Sequence, residues 1–262
     1  MPVSKPPLVF ITGASSGIGQ ALALRYHQAG FALALSARRT AALQDWADSL
    51  GLGPEHCGIY GADVADADSI VAAGQACLAR QGVPDVVIAN AGISIGVDTA
   101  MRSDLDAMRQ TFATNNLGMA ATFHPFMDPM VSRGTGSLVG IASVAGIRGL
   151  PGHGAYCGSK AAVISYCESL RGELRPTGVK VTTISPGYID TPLTRQNRYA
   201  MPFLMAPDKF AEQAYATIAA GASYRVIPWQ MAAVAKLLRV LPDALLDRAL
   251  AGRPRKHRAP PG

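Results

Sequence analysis

The chain has 262 residues, 49% hydrophobic and 16% charged, with a formal net charge of +6. Every window of about 20 residues contains a charge or a proline, which argues against a transmembrane helix. Arg253, Arg255, Lys256 and Arg258 supply four of the positive charges, and +2 remains without them, so the basicity marks a tail and not a broad nucleic-acid-binding face.

In chain order, Met1 to Pro7 holds a lysine and three prolines and lacks the apolar core and cleavage site of a secretory signal. Leu8 to Thr12 reads as a strand, and a glycine-rich turn leads into a helix from about Gly17 to Ala29, stopped by Gly30. Phe31 to Ser36 predicts a second strand, followed by a helix from about Thr40 to Leu50. Further strands are expected at Cys57 to Ala62, Asp85 to Ala89, Ser137 to Ala142 and Val179 to Ile184, with long helical patterns near Leu105 to Arg133 and Ala155 to Arg175. The stretch from Thr191 to Gly221 breaks the rhythm with Met201-Pro202-Phe203-Leu204-Met205 and a helix beginning near Asp208. Tyr224 to Ile227 reads as a last strand, and Met231 to Leu250 is apolar at helical spacing, broken at Pro242.

Strand–helix alternation with short connections predicts an α/β fold: a single doubly wound Rossmann-type domain, its parallel sheet of about seven strands covered by helices on both faces. Residues 1–230 are expected to form the dinucleotide-binding and catalytic part, with a substrate lid at about 191–222. Residues 231–262 would add a helical extension with a basic tail to the same domain. Cys57, Cys77, Cys157 and Cys167 show neither metal-ligand spacing nor a disulfide pattern, and read as reduced core thiols with no metal site. A cytoplasmic location is the expectation.

Two local patterns carry chemistry. Thr12-Gly13-Ala14-Ser15-Ser16-Gly17-Ile18-Gly19 lies between the first strand and first helix, where glycines admit a pyrophosphate to the backbone and the helix offers free N–H donors. Tyr156 and Lys160 are one helical turn apart, so their side chains share a face. An ammonium beside a phenol favours the phenolate, which predicts an acid or base usable near neutral pH.

The glycine spacing Gly-x-x-x-Gly-x-Gly, together with Tyr-x-x-x-Lys, resembles the short-chain dehydrogenase/reductase family in its compact branch. Other motifs match in order over residues 8–192. Asn90-Ala91-Gly92 follows the fourth strand, Asn115 precedes Gly118, Ser143 stands thirteen residues before Tyr156, and Pro186-Gly187 is followed by Ile189 and Thr191. The resemblance implies a catalytic set of Asn115, Ser143, Tyr156 and Lys160. It implies a nicotinamide cofactor held by Gly13, Ser15, Ser16, Gly17, Ile18, Gly19, Asn90, Ala91, Gly92, Tyr156, Lys160, Pro186, Gly187, Ile189 and Thr191, with Asp63 and Val64 at the adenine. Asp63 could equally be a helix N-cap before Ala65.

Ser36-Ala37-Arg38-Arg39 ends the second strand without the acid that would favour NAD. An arginine fork suits a 2′-phosphate, so NADP(H) is expected, with NAD as the alternative. In the implied mechanism Tyr156 exchanges a proton with the substrate, and Lys160 lowers its pKa and holds the nicotinamide ribose. Ser143 binds the carbonyl oxygen, and Asn115 positions a water linking Lys160 to solvent. His153 reads as a loop histidine, while Asn116 and Cys157 are assigned no chemistry.

Substrate contacts are expected at Ser143, Tyr156, Val144, Leu150, Tyr188 and Leu193, with Ile93, Ile147, Phe203, Leu204 and Met205 nearby. Those residues are mostly apolar, which points to a lipophilic carbonyl or alcohol. A 3-oxoacyl-thioester reductase, with Arg102, Arg109 and Arg133 meeting an acidic carrier, is the enzymatic alternative. A non-catalytic NADP(H)-binding regulator is the alternative of another kind. The resemblance implies a homodimer or homotetramer. The C-terminal segment is open between packing on its own fold or a partner and peripheral contact with a membrane.

Overall fold

The computed structural model describes residues 5–197, 199–252, 256 and 258. Arg253 and Arg255 of the basic tail and the first four residues lie outside them. Seven strands form one sheet: β1 (Leu8–Thr12), β2 (Ala32–Ala37), β3 (Cys57–Gly61), β4 (Val86–Ala89), β5 (Gly136–Ile141), β6 (Val179–Pro186) and β7 (Tyr224–Ile227). Their order is β3-β2-β1-β4-β5-β6-β7, and every pairing is parallel. Order reverses at β1, so the crevice outside the carboxyl ends of β1 and β4 is the topological switch point where such sheets bind ligands.

Alternation along the strands divides the core. Leu8 and Phe10 face one side with α3 (Ala67–Arg80), α5 (Gly118–Arg133) and α6 (Gly154–Leu174). Val9 and Ile11 face the other, with α1 (Gly17–Gln28), α2 (Thr40–Ser49) and α8 (Pro207–Ala219). Both faces are therefore apolar, as a parallel sheet requires. Phe10 packs on Phe126 with ring centroids 4.9 Å apart, joining β1 to α5. Gly74 lets α3 approach α5, since a Cβ there would come within 2.4 Å of Pro125 Cγ.

The long helical pattern near Leu105 to Arg133 is not one α-helix. It comprises α4 (Asp104–Phe112), a π-helical turn over Ala113–Leu117, and α5. Asp63 does not cap α3. Asp66 Oδ1 accepts from Asp68 N and Ser69 N at 3.0 and 3.3 Å, while Asp63 Oδ1 closes a turn onto Ala65 N. Asp66 wins because its acceptor sits opposite the orphan N–H groups of the first turn.

The C-terminal extension packs on the chain's own fold. It forms α9 (Trp229–Val240) and α10 (Asp243–Leu250), which bury Met231, Ala235 and Leu246. Arg148 Nη1 donates to the carbonyls of Leu238 and Leu241 at 3.1 Å, capping the end of α9, and Nη2 pairs with Asp243 at 2.6 Å. Trp229, Leu237, Val240 and Leu245 remain exposed. Among the described residues no helix is long and apolar enough to cross a membrane.

Candidate active site

A cleft of about 780 Å³ runs along the carboxyl ends of the strands. Its floor is the loop between β1 and α1. Gly13 (φ 65°) and Gly17 (φ 56°) adopt the left-handed conformation, and a Cβ on Gly13 would lie 2.8 Å from Ala91 Cα. Gly19 does not line the cleft; it packs behind the loop, where a Cβ would meet the Gly13 carbonyl oxygen at 2.3 Å. Ser16 begins α1 with extended backbone, and its side chain makes no capping bond, so the first-turn N–H groups stay free for an anion. A bare backbone cradle at a helix N-terminus fits a pyrophosphate.

Asn90 fastens this loop to β4. Its Nδ2 donates to the Thr12 and Gly13 carbonyls at 3.0 and 3.3 Å, and its N–H donates to Thr12 Oγ1 at 3.1 Å. Thr12, buried at the end of β1, also accepts from Ala91 N at 3.2 Å. Sequence reasoning passed over Thr12, although a hydroxyl ending an apolar strand was a visible signal.

Arg38, Arg39, Asp63 and Val64 line one end of the cleft. Arg38 Nη1 is 3.8 Å from Asp63 Oδ2, an exposed and therefore weak pair. Ile18, Ser15, Ala91, Gly92, Pro186, Gly187, Ile189 and Thr191 line the same cleft as Ser143, Tyr156 and Lys160. Thr191 caps α7 (Pro192–Arg195) in a capping box with Thr194, and the Thr194 hydroxyl also donates to the Ile189 carbonyl.

Ser143 ends β5 and its Oγ accepts from Ala145 N at 3.2 Å, which leaves its proton free to donate. Lys160 is buried and donates from Nζ to the Ile141 carbonyl at 2.7 Å; burial lowers its pKa to about 8. Tyr156 is half-buried, and its ring centroid is 5.9 Å from Lys160 Nζ. Burial pushes the phenol up from 10.0, and the Ser143 hydroxyl is what opposes the rise. This corrects the expectation that Lys160 lowers the phenol's pKa: its ammonium is turned to a backbone carbonyl, and desolvation dominates.

Asn115 lies in the π turn and is buried. A Cβ on Gly92 would be 3.2 Å from Asn115 Oδ1 and 3.4 Å from Lys160 Nζ, so the missing side chain brings these groups together. The Asn115 amide donates to Ser159 Oγ at 2.9 Å, and Ser159 Oγ donates to the Tyr156 carbonyl at 2.8 Å. Asn116, set aside as incidental, donates to the Ser159 carbonyl at 2.8 Å. Ser159 is thus a linking residue that sequence reasoning missed, and a hydroxyl three residues past the tyrosine gave little signal.

Of the expected substrate contacts, Leu193 joins Ser143 and Tyr156 in lining the cleft, whereas Val144 and Tyr188 do not. Leu150 and Ile147 line a second hollow, between α6 and α10. Phe203 and Leu204 are exposed, and Met205 pairs with Ile189. His153 is a loop histidine as expected, at the N-cap of α6, but it is not solvated. It is buried at the start of α6, its ring 6.5 Å from Tyr156 and 6.1 Å from Tyr199, and burial lowers its pKa to about 4. Cys157 is buried, and burial pushes its thiol up.

A dinucleotide-type cleft that ends on a Ser–Tyr–Lys cluster defines a class of oxidoreductase, and comparison gives the family. Residues 7–201 match the family model for short chain dehydrogenases, and the chain belongs to that family. It is 40% identical over 242 residues to an uncharacterized oxidoreductase of Myxococcus xanthus, spanning 91% of this chain and 94% of that one. Two further relatives are longer: the chain spans 60% of a dehydrogenase/reductase SDR family protein 7-like of Anopheles gambiae (37% identity, 71% of this chain) and 44% of a probable oxidoreductase EphD of Mycobacterium bovis (31% identity, 92% of this chain). Its fold is similar to that of a short-chain dehydrogenase from Streptomyces avermitilis (TM-score 0.80, 26% identity, 95% of each chain). It is also similar to an alcohol dehydrogenase from Thermococcus sibiricus, whose structure is a complex with 5-hydroxy-NADP (TM-score 0.75, 27% identity, 84% of this chain and 95% of that one).

Proposed function

We propose that this chain is an NADP(H)-dependent carbonyl reductase or alcohol dehydrogenase for a substrate with an apolar body. The observation that carries the reading is the single cleft in which the glycine loop and Arg38 lie at one end and Ser143, Tyr156 and Lys160 at the other. When bound, the nicotinamide would supply or accept the hydride.

The first-turn N–H groups of α1 would take the pyrophosphate, and Arg38 and Arg39 the 2′-phosphate. Arg38 can be recruited because its pair with Asp63 is exposed and costs little to loosen. Lys160, held by the Ile141 carbonyl, retains donors for the nicotinamide ribose. Ser143 would donate to the substrate carbonyl oxygen as charge develops there. Tyr156, its pKa raised, is protonated at neutral pH and suited to donate its proton to the nascent alkoxide. These features favour reduction.

The acyl-carrier alternative loses support from one of its arginines. Arg133 is held by the Val83 and Pro84 carbonyls, whereas the Arg109 pair with Asp106 is exposed and weak and leaves that arginine available.

The test is nicotinamide absorbance during turnover of a panel of lipophilic ketones, aldehydes and alcohols, with NADP(H) and NAD(H) in parallel and Tyr156→Phe as control. NADP(H)-linked turnover lost in that variant is the expected result. Preference for NAD(H) would overturn the role of Arg38, and cofactor binding without turnover across the panel would favour a regulator.

A further inference from the structure

A file of aromatic rings runs outward from Tyr156, which itself lines the cleft. His153 stands 6.5 Å from Tyr156 and 6.1 Å from Tyr199, and Tyr199 lies 6.3 Å from Tyr188. Lys256 returns to this cluster from the far end of the chain. Its Nζ donates to Asn197 Oδ1 at 2.5 Å, and the residue is only 9% exposed. Its charge reaches the His153 imidazole, whose pKa is lowered first by burial and then by Lys256.

Two residues on, Arg258 anchors the tail. Its guanidinium grips Asp104 with both arms, at 2.5 and 2.8 Å, and its backbone bridges to Gly96 in the loop after Asn90-Ala91-Gly92. The two cations differ in one respect. Arg258 is neutralised by a carboxylate, whereas among the described residues no carboxylate lies within ion-pair reach of Lys256. Lys256 is a buried ammonium beside a neutral amide, and removing a charge from water without a counter-charge is costly. An arriving anion would supply that counter-charge, and the Arg258 clamp holds the ammonium where it would be met.

We propose that Lys256 is a specificity-determining residue that receives an anionic group, carboxylate or phosphate, at the outer end of the substrate. The substrate is then an amphiphile. Its carbonyl carbon lies at Tyr156, its apolar body passes the His153 and Tyr199 rings, and its anion ends at Lys256. This rests on the reading of the cleft as a reductase site.

The experiment is calorimetric titration of the full chain, with and without NADPH, using decanoate, decyl phosphate and decanol as probes. Wild type is expected to bind one of the anions at least about tenfold tighter than the alcohol, since hydrogen bonds to charged groups contribute about that much; the tighter anion distinguishes carboxylate from phosphate. Lys256→Gln should erase the preference and Lys256→Arg should keep most of it. Arg258→Gln, which leaves Lys256 intact but unclamped, should weaken it. Anions binding no tighter than decanol, or a preference that survives in Lys256→Gln, would overturn the proposal. A turnover arm with 12-oxododecanoate and dodecanal separates the two readings. Anion preference without nicotinamide oxidation sustains the Lys256 site and sinks the reductase, and oxidation without anion preference does the reverse.

Discussion

Asn115 and Ile93 satisfy each other twice: the Ile93 N–H donates to Asn115 Oδ1 at 2.9 Å, and Asn115 Nδ2 donates back to the Ile93 carbonyl at 3.0 Å. The other Nδ2 proton goes to Ser159 Oγ, which in turn holds the Tyr156 carbonyl. One buried amide therefore ties the loop after β4 to the start of α6. Asn115→Ala should leave the Ile93 N–H and carbonyl unpaired and lower unfolding stability by about 1–3 kcal/mol. It should also reduce turnover, because the helix turn bearing Tyr156 loses its tie. Urea unfolding and steady-state rates on the same preparation check this; unchanged stability would show that water replaces the amide.

The phenol of Tyr156 has a second consequence. With its pKa raised above 10.0, it carries its proton throughout the neutral range. Carbonyl reduction should be flat between about pH 6 and 8, whereas alcohol oxidation, which needs the phenolate, should climb with pH. Tyr156→Phe should cut both rates by about 10²–10⁴ and lower cofactor affinity far less, since only one of the cofactor's contacts changes. Equal pH profiles in the two directions would count against Tyr156 as the proton-transfer group.

Much of this was legible before any coordinates. Apolar runs bounded by Gly and Pro marked the strands because a parallel sheet buried on both faces needs near-continuous hydrophobicity, and β1 and β7 fall at the expected residues. The π turn was invisible, since Ala113 to Leu117 holds no glycine or proline to mark a break from the helices beside it and the extra residue shows only in the hydrogen bonding. The direction of the Tyr156 shift was misread because spacing gives the neighbour but not which way its ammonium turns. Lys256 lay in a basic run that read only as a tail, open between packing and membrane contact, and nothing local distinguishes a charge that returns to the fold from one that stays in water.

Arg38 offers a test of cofactor choice. Its guanidinium lines the cleft 3.8 Å from Asp63, with both side chains substantially exposed. A charge-assisted hydrogen bond contributes about 1.5–3 kcal/mol, or roughly 10- to 100-fold in affinity. Arg38→Ala should lower kcat/KM for NADPH by that factor and change the NADH value little. Arg38→Asp should go further and reverse the preference, because the acid can accept from a ribose hydroxyl and repels a phosphate. Equal losses with both cofactors would mean that Arg38 supports the loop and does not read the 2′-phosphate.

Gly19 tests the loop from behind. A Cβ there would lie 2.3 Å from the Gly13 carbonyl oxygen and 2.6 Å from Asn90 Nδ2, and neither can withdraw while Asn90 is bonded to Thr12. Gly19→Ala should therefore displace the glycine loop and weaken NADPH binding at least about tenfold, with a stability loss of about 1–3 kcal/mol from overpacking. Gly30→Ala is the control. It meets no atom within 4 Å, so only its left-handed backbone (φ 84°) is strained, and cofactor affinity should hold. Matched affinity losses in the two variants would place the effect in general destabilisation.

His153 gives the fold an acid sensitivity whose sign can be worked out. Burial, with help from Lys256, lowers its pKa from 6.5 to about 4. Between those values the unfolded chain binds a proton that the folded chain refuses, so stability falls as pH drops from 6.5 toward 4 and is restored as pH rises. At about 1.4 kcal/mol per pH unit the ceiling is roughly 3 kcal/mol. Asp104 does not blur the window. Arg258 depresses it from 3.8 to about 2, so the stability it contributes is present above 3.8 and is lost only below that. Urea unfolding at pH 7.5, 5.5 and 4.5 should show wild type losing more stability across the window than His153→Gln, which cannot take up the proton. Lys256→Gln should lie between them, since it removes the smaller of the two causes and leaves burial in place. Parallel pH dependence in wild type and His153→Gln would assign the acid sensitivity to other groups and leave His153 as a packing residue between Tyr156 and Tyr199.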